Sequence, residues 1–293
     1  MANPLNRGEL FSPDIIEDLY NKVTGASALA QLSGQRPIAF NGNEFFEFNL
    51  DSHIDIVGES QPKGAGGITI TSKVIRPLKV EYSARVSDEF MYASQSKRID
   101  ILKEFNIGYA KKLAEGFDWM AIHGINPRTG QLSDIIGDNY FVKQIEQEVA
   151  YNEADPTLNI EDALALVEGS EYTADGALLA PDVTTAISKI TVNGLRLYPE
   201  YMFGNVPNTL GGMRLQRSRN VSKENDLKGL VGDFEGAFRW GVTKQIPLQV
   251  IQYGDPDNTG RDLAGHNEVL LRSETYLGWG ILRPEAFAKI VGA

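Results

Sequence analysis

Two stretches of the chain alternate apolar and polar residues at every second position, on either side of a glycine-rich segment. The first runs from Phe46 to Ile56 and the second from Ile68 to Val86. A period of two is typical of a β-strand with one face against protein and the other against solvent. The glycine-rich decapeptide GESQPKGAGG, residues 58–67, is then the tip of a hairpin that these two strands form.

This hairpin is longer than one domain of this size needs. Its second arm would hold about 19 residues, or about 60 Å of extended chain, whereas strands of about five or six residues are usual. A two-stranded ribbon is barely stable alone, so its apolar face has to cover another surface. We therefore predict an arm that lies on a neighbouring molecule, with an edge position near Pro77 because proline cannot donate a ladder hydrogen bond. The candidate contacts between subunits are Phe46, Phe48, Glu59, Lys63, Val80 and Tyr82.

Beyond Ser87 the apolar spacing changes to three and four residues, which is typical of a helix. The pattern predicts one long helix of about 26 residues, or about 39 Å. Ser94 or Ser96 is expected to cap its start, and Gly124 is expected to end it. The apolar stripe of this helix consists of Leu102, Phe105, Tyr109, Leu113, Phe117 and Met120.

Shorter segments surround these two long elements. Helices are predicted over residues 12–25 and 28–32, near the N-terminus. The middle of the chain mixes helices and strands, and the last third consists mainly of strands.

Composition narrows the possible functions. The 293 residues carry a net charge of -11, which disfavours tight binding to nucleic-acid phosphates. The chain has no cysteine, which removes disulfides, thiol nucleophiles and thiolate metal sites. The first residues lack the apolar core of a signal peptide, and no apolar run approaches the ~18 residues of a membrane span. We expect a protein that is soluble in the cytosol when it is synthesised and has no membrane partner.

We find no convincing sequence motif for a catalytic, cofactor or metal site. The glycine-rich tip is followed by a strand pattern, whereas a phosphate cradle requires the start of a helix there. Asp255, Asp257, Thr259 and Gly260 follow the spacing of a calcium loop, but His266 stands where that loop needs a bidentate glutamate. We therefore prefer an acidic surface loop, and we predict no catalytic residue, no cofactor, no bound metal and no enzymatic activity.

Several segments, in their order along the chain, resemble the Hong Kong 97 family of tailed-phage major capsid proteins. Residues 55–91 look like the extended loop of that family and its return, and residues 116–130 are similar to the end of its long spine helix and the loop that follows. The matching positions are Glu59, Pro62, Val86, Ser87, Glu89, Pro127 and Gly130.

The C-terminal segment carries the most specific match. Residues 267–290 look like the closing strands of the family, with Arg272, Glu274 and Leu277 in place, followed by the run from Arg283 to Phe287. Each motif is loose, but their order and spacing together cover most of the chain from about residue 12 onward.

The resemblance implies an α+β fold of the Hong Kong 97 type, divided into five parts. These are an N-terminal arm (residues 1–43), the extended-loop hairpin (44–86), a peripheral domain with the spine helix (87–155), an axial domain (156–264) and a return to the peripheral domain (265–293). The implied function is a major capsid protein that self-assembles as pentamers and hexamers into the icosahedral head of a tailed double-stranded DNA phage. The alternatives are an encapsulin nanocompartment shell protein of the same fold, a soluble α/β enzyme, and another phage structural protein.

The same resemblance implies partners and a location. A homo-oligomeric shell would assemble with a scaffolding protein and a portal, accept a decoration protein, and enclose double-stranded DNA without sequence-specific binding. The protein would lie in the virion, and in the host cytoplasm during assembly.

Some members of the family join subunits by an isopeptide bond between a lysine and an asparagine, with the help of a glutamate. Counted from the C-terminal match, Asn267 and Glu274 hold the positions of the asparagine and the glutamate. Lys63 is the candidate lysine, but it follows Pro62, whereas the reactive lysine of the family precedes its proline. Ordinary polar residues at strand ends are the alternative interpretation of these three positions.

Overall fold

A long helix, two larger β-sheets and a two-stranded ribbon are the main elements among the described residues. The computed structural model of the chain describes residues 27–50, 53–57, 59–61, 64–224 and 226–292. The helix predicted over residues 12–25 and the candidate contact Lys63 lie outside the described residues.

The helices and strands are numbered in chain order. The helices are α1 (Ala28–Leu32), α2 (Glu89–Tyr92), α3 (Gln95–His123), α4 (Phe141–Gln144), α5 (Pro156–Gly169), α6 (Pro181–Lys189) and α7 (Phe234–Ala237). The strands are β1 (Asn43–Leu50), β2 (Ile68–Ile75), β3 (Leu78–Ser87), β4 (Ile125–Asn126), β5 (Gln131–Leu132), β6 (Glu148–Ala150), β7 (Gly176–Leu179), β8 (Thr191–Val192), β9 (Leu195–Arg196), β10 (Thr209–Leu210), β11 (Met213–Arg217), β12 (Leu227–Gly232), β13 (Phe238–Ile251), β14 (Glu268–Ile281) and β15 (Phe287–Val291).

The long helix α3 confirms the helical spacing in the sequence. It has 29 residues, Ser94 occupies its N-cap position, and Gly124 ends it in a left-handed conformation with φ of 72°. Gly124 also donates its backbone N–H to the carbonyl of Met120, which closes the last turn. All six residues of the predicted apolar stripe are buried or half-buried.

A three-stranded antiparallel sheet packs on α3. Its order is β13-β14-β3, so β14 is the central strand and β3 lies at one edge. The ring of Phe117 on α3 lies 5.3 Å from that of Trp240 and 5.9 Å from that of Trp279, measured between centroids. These aromatic contacts join the helix to the sheet in one continuous hydrophobic core.

A six-stranded mixed sheet forms the other part of the body, in the order β10-β11-β7-β12-β15-β6. The helices α5 and α6 accompany it, and each begins with a proline. Proline has no backbone N–H, which costs nothing at the first helical position because an N–H there would have no partner within the helix. The C-terminal strand β15 lies inside this sheet, between β12 and β6. The sheet therefore combines residues 148–232 with residues 287–291, and the five-part division of the chain stays a prediction.

The prediction of a single strand of about 19 residues is wrong. The chain stops pairing with β1 at Ile75, and Arg76 and Pro77 separate this strand from the next. β2 ends at Ile75 and pairs with β1, whereas β3 begins at Leu78 and pairs with β14 of the same chain. Proline fixes its φ and has no N–H, so it interrupts pairing between the two strands. The expected edge position near Pro77 is confirmed, since β3 is an edge strand.

The first arm of the hairpin is also shorter than its alternation predicted. β1 ends at Leu50, and residues 53–57 have no ladder partner among the described residues. The two legs nevertheless stay near each other there, because the carboxylate of Asp55 is 3.7 Å from the position that a Cβ would take on Gly64. Among the helices of the described residues, none is long and apolar enough to cross a membrane.

Candidate assembly surface

The β1–β2 ribbon exposes one apolar face. In its antiparallel register Phe46 lies opposite Ser72, and Phe48 lies opposite Ile70, so the even-numbered residues of both strands share one side. The exposed fractions of Phe46, Ile68, Ile70 and Val74 lie between 51% and 59%. Contiguous apolar surface on a soluble protein commonly marks a contact with another molecule. The ribbon face therefore has the character that the sequence predicted for a surface between subunits.

Beyond the ladder, the exposure of apolar side chains is nearly complete. Ile54 is 99% exposed and Ile56 is 96% exposed, although both continue the alternation that begins in β1. Glu59, a predicted contact at the tip, is also exposed.

The root of the ribbon is held on a patch of glycines in the three-stranded sheet. Ile75, the last residue of β2, is 2% exposed and lies above Gly280, where a Cβ would come within 2.6 Å of its side chain. The ammonium group of Lys73 donates a 3.2 Å hydrogen bond to the carbonyl of Ile281. The body therefore anchors the ribbon at this end, while the apolar face farther along stays uncovered.

The chain before β1 crosses the same glycine patch. Gly241 and Gly278 are opposite each other in the β13–β14 ladder. A Cβ on Gly241 would lie 1.8 Å from the carbonyl oxygen of Arg36, and a Cβ on Gly278 would lie 3.0 Å from the side chain of Ile38. Only glycine permits this approach of one backbone to another.

Val80 and Tyr82, two of the predicted contacts, lie in the body and not in the exposed ribbon. Val80 is half-buried and packs against the core of its own chain. Tyr82 is 47% exposed, and its ring lies 5.9 Å from that of Phe105 on α3. Any contact they make with another subunit is therefore made beside the edge strand β3, and their role between subunits stays a prediction.

The candidate crosslink residues are not brought together within one chain. Asn267 is exposed just before β14, with φ of 53°, and Glu274 is buried in the middle of that strand. Seven residues of strand separate them by about 24 Å. The ammonium group of Lys79 lies 2.8 Å from a carboxylate oxygen of Glu274 and donates a hydrogen bond to it. This hydrogen bond raises the pKa of Lys79. With Lys63 outside the described residues, the crosslink stays a prediction.

The loop with calcium-like spacing binds an arginine of its own chain. The guanidinium of Arg85 on β3 donates hydrogen bonds of 2.8 Å to Asp255 and 2.9 Å to Asp257, and a further one of 2.6 Å to the hydroxyl of Thr259. Glu268 accepts another hydrogen bond of 2.9 Å from the same group. The hydrogen bond from Arg85 lowers the pKa of Asp257 to about 2. The acidic surface loop therefore has a structural role, because its hydrogen bonds with Arg85 hold β3 against the connection between β13 and β14.

Sequence reasoning missed this cluster because Arg85 is about 170 residues away from the loop in the chain. The alternation correctly predicted that Arg85 lies on the polar face of a strand, but it did not predict which residues bind its guanidinium group.

A buried carboxylate, also unforeseen, ties three distant segments together. Asp118 of α3 is fully buried and accepts hydrogen bonds from the Ser27 hydroxyl at 2.6 Å and from the Asn220 amide at 2.8 Å. It also accepts one from the backbone N–H of Ala28 at 3.1 Å. Burial raises the pKa of Asp118, and these hydrogen bonds oppose that rise.

Asn220 makes further hydrogen bonds to the same helix. Its side-chain oxygen accepts a 3.1 Å hydrogen bond from the indole N–H of Trp119, and its carbonyl lies 2.9 Å from Nε2 of His123. Burial lowers the pKa of His123. Within the part of the chain that the structure describes, no cluster of three His, Cys, Asp or Glu side chains is arranged to hold a metal ion.

Solved phage and capsid structures resemble this fold along most of its length. No protein-family model matches the chain, and no curated protein sequence does. A structure from Mycobacterium phage Ogopogo is 29% identical, with a TM-score of 0.76, and the match covers 92% of each chain. One from Gordonia phage Cozz is 24% identical, also with a TM-score of 0.76, and the match covers 91% of this chain and 86% of that one.

A third likeness is described as the capsid of an empty GTA particle. It is 14% identical, with a TM-score of 0.63, and the match covers 92% of this chain and 90% of the other. These likenesses confirm the α+β fold and the resemblance that the sequence motifs indicated. The chain therefore has the Hong Kong 97-like capsid fold.

Proposed function

We propose that this chain is the subunit from which pentamers and hexamers build the icosahedral head of a tailed double-stranded DNA phage. The single observation that carries the proposal is the ribbon, which is rooted in the body and exposes its apolar face along its length. Such a face is stable in water only when another surface covers it, and a shell supplies a neighbouring copy at every position.

The balance of forces between copies favours contact surfaces of this kind. Each chain carries a net charge of -11, so copies repel one another. At cellular salt this repulsion is screened over about 8 Å. Burial of apolar surface contributes about 25 cal/mol per Å², and the many contacts of a closed shell add to one another. In this proposal Phe46, Phe48 and Glu59 lie in the ribbon contact.

The other partners follow from the same role. An acidic shell wall encloses double-stranded DNA without binding its phosphates tightly. A scaffolding protein and a portal take part in assembly in the host cytoplasm, and a decoration protein binds the finished head in the virion. The chain acts as a structural protein and performs no catalysis in this role.

A pair of substitutions on the two faces of β2 tests the proposal. Ile70→Asp places a charge on the apolar face, whereas Thr69→Asp places the same charge on the opposite face of the same strand. Both positions are exposed, so both variants are expected to fold with the circular dichroism spectrum of the original chain. We expect closed particles in negative-stain electron microscopy from the original chain and from Thr69→Asp, and unassembled subunits from Ile70→Asp. Normal particles from Ile70→Asp would contradict the proposal.

A further inference from the structure

His123, the last residue of α3, is fully buried and has one ring nitrogen without a partner. Its Nε2 lies 2.9 Å from the backbone carbonyl of Asn220. A carbonyl oxygen can only accept a hydrogen bond, so Nε2 carries the proton and donates it. Nδ1 is then the unprotonated nitrogen, and among the described residues it has no hydrogen-bond partner. The site therefore holds the imidazole in its neutral form and in a single tautomer.

A proton on Nδ1 is unfavourable in this position. The new N–H would be buried without an acceptor, and the positive charge would be buried with it. The negative end of the α3 dipole favours the protonated ring, but burial is the larger influence and lowers the pKa of His123. Exposure to water returns an imidazole to its ordinary pKa of about 6.5. An open site therefore binds a proton that the closed site rejects, so acidification favours opening.

Few charged groups face the ring from the elements around it. In the Asn220 loop, residues 218–224, the carboxylate of Glu224 favours the protonated ring and the ammonium group of Lys223 disfavours it. Both side chains are exposed, so water and salt screen their effects. Of the elements that pack on α3 near its C-terminal end, β4 has no charged side chain, and α4 has only Lys143, which is exposed. Asp118 is the one buried charged group nearby, and Asn220 connects it to the ring.

Asn220 links His123 to the beginning of α1. Its carbonyl accepts the hydrogen bond of the imidazole, and its side-chain amide donates one of 2.8 Å to Asp118. Residues 27–29 supply the other donors to this carboxylate, one hydroxyl at 2.6 Å and two backbone N–H groups at 3.1 Å and 3.3 Å. These N–H groups lie in the first turn of α1, where no acceptor exists within the helix. Asp118 thus holds the start of α1, and Asn220 covers Asp118.

The Asn220 loop is able to open without disruption of the core. Val221 is the only fully buried apolar side chain of its seven residues, and four of the others are exposed. Segments with few buried apolar contacts open locally at low cost. α1 is different, because Leu29 and Leu32 are fully buried in the main core. An opening event therefore moves the loop and leaves α1 packed, but it admits water to Asp118.

We propose that His123 is an acid-sensitive latch that holds the Asn220 loop on α3. The neutral ring binds the carbonyl of Asn220, and the closed loop shields Asp118, which fixes the start of α1. Protonation of Nδ1 at mildly acidic pH opens the loop and weakens this hold. The latch lies within one chain, so it operates in a free subunit and does not depend on the proposed shell function.

Amide hydrogen exchange of free subunits tests the latch between about pH 7.5 and about pH 5, on either side of the ordinary histidine pKa. The rates are corrected for the intrinsic effect of pH on exchange. Because opening takes up one proton, we expect residues 28–29 and 218–223 to open up to about tenfold more often for each pH unit below about 6.5. A corrected profile that is flat or falls on acidification would overturn the inference. An equal rise in the central strand β14 would indicate global unfolding and would also overturn it.

His123→Gln separates the titration of the ring from its structural role. The glutamine amide can still donate to the carbonyl of Asn220, but it takes up no proton in this pH range. We expect this variant to lose the acid-dependent rise in exchange. The matched control is His266→Gln, because the ring of His266 is exposed and binds the carbonyl of Asp262, far along the chain from the latch. A rise that persists in His123→Gln, or one that vanishes in His266→Gln, would overturn the inference.

Nuclear magnetic resonance of the unmodified subunit gives a measurement that requires no substitution. The chain has three histidines, so nitrogen labelling of histidine gives three ring signals. We expect the buried ring of His123 to show a protected Nε2 proton at neutral pH and to titrate below about 6.5. A ring with its proton on Nδ1, or a midpoint at or above about 6.5, would overturn the inference.

Discussion

Strand β2 of the ribbon and the edge strand β3 of the body come from one alternating stretch of the sequence, residues 68–86, yet they have opposite surroundings. Ile70 in the ribbon is 55% exposed, whereas Val80, ten residues later, packs on the core of its own chain. Arg76 and Pro77 separate the two. The difference teaches that alternation specifies which side of a strand is apolar, but not which molecule covers that side.

The largest expected effect separates these two regions by stability. Val80→Asp buries part of a charge in the core, so we expect it to lower the free energy of unfolding by about 3 kcal/mol. Ile70→Asp, on the exposed face, is expected to change that energy by less than about 0.5 kcal/mol. Urea unfolding of unassembled subunits, followed by circular dichroism, measures both. Equal losses in the two variants would remove the distinction between ribbon and body.

A smaller effect is expected at the root, where the ribbon meets the body. Gly241→Ala forces a methyl group against the carbonyl of Arg36, so we expect a loss of roughly 1–3 kcal/mol in the free energy of unfolding. The matched control is Gly108→Ala in α3, which has open space around its Cβ position and is expected to gain about 0.5–1 kcal/mol from helix propensity. Thermal unfolding of both variants tests this, and a neutral Gly241→Ala would show that the root is not tightly packed.

The smallest effect concerns the far end of β3, which Arg85 fastens to the acidic loop. Because the pKa of Asp257 is held near 2, its pair with Arg85 is complete above the ordinary carboxyl pKa and is lost as the pH falls through about 2. We expect Arg85→Gln to return the pKa of Asp257 toward its ordinary value of about 3.9. Nuclear magnetic resonance titration of the Asp257 carboxyl in subunits measures this value. A pKa that stays near 2 in the variant would assign the shift to the loop backbone instead of Arg85.

Elements with a strong period were predictable from the sequence. The stripe from Leu102 to Met120 and the left-handed Gly124 gave the long helix almost to its ends. The predominance of strands in the last third of the chain was also predicted, because its apolar runs are separated by turn residues. Pro77 signalled an edge, but its stronger effect, the division of one long strand into two with different partners, was not recognised.

Contacts between distant parts of the chain could not be predicted in this way. Gly241 and Gly280 look like ordinary strand glycines until another segment is seen to cross them. Arg85 and Asp118 find partners about 90 to 170 residues away. No local pattern encodes such pairs, because their geometry depends on how the whole chain folds. The apolar face of the candidate assembly surface was predictable, and its root was not.

The carboxylate of Asp118 has one more consequence for a shell built from copies of this chain. Residues 27–28, the helix α3 and the loop at Asn220 share this one buried group, and its hydrogen bonds resist movement of these segments relative to one another. In the proposed shell, five-fold and six-fold neighbours would meet at different angles. The adjustment then falls on the outer ribbon and on residues 53–57, where few internal contacts resist bending.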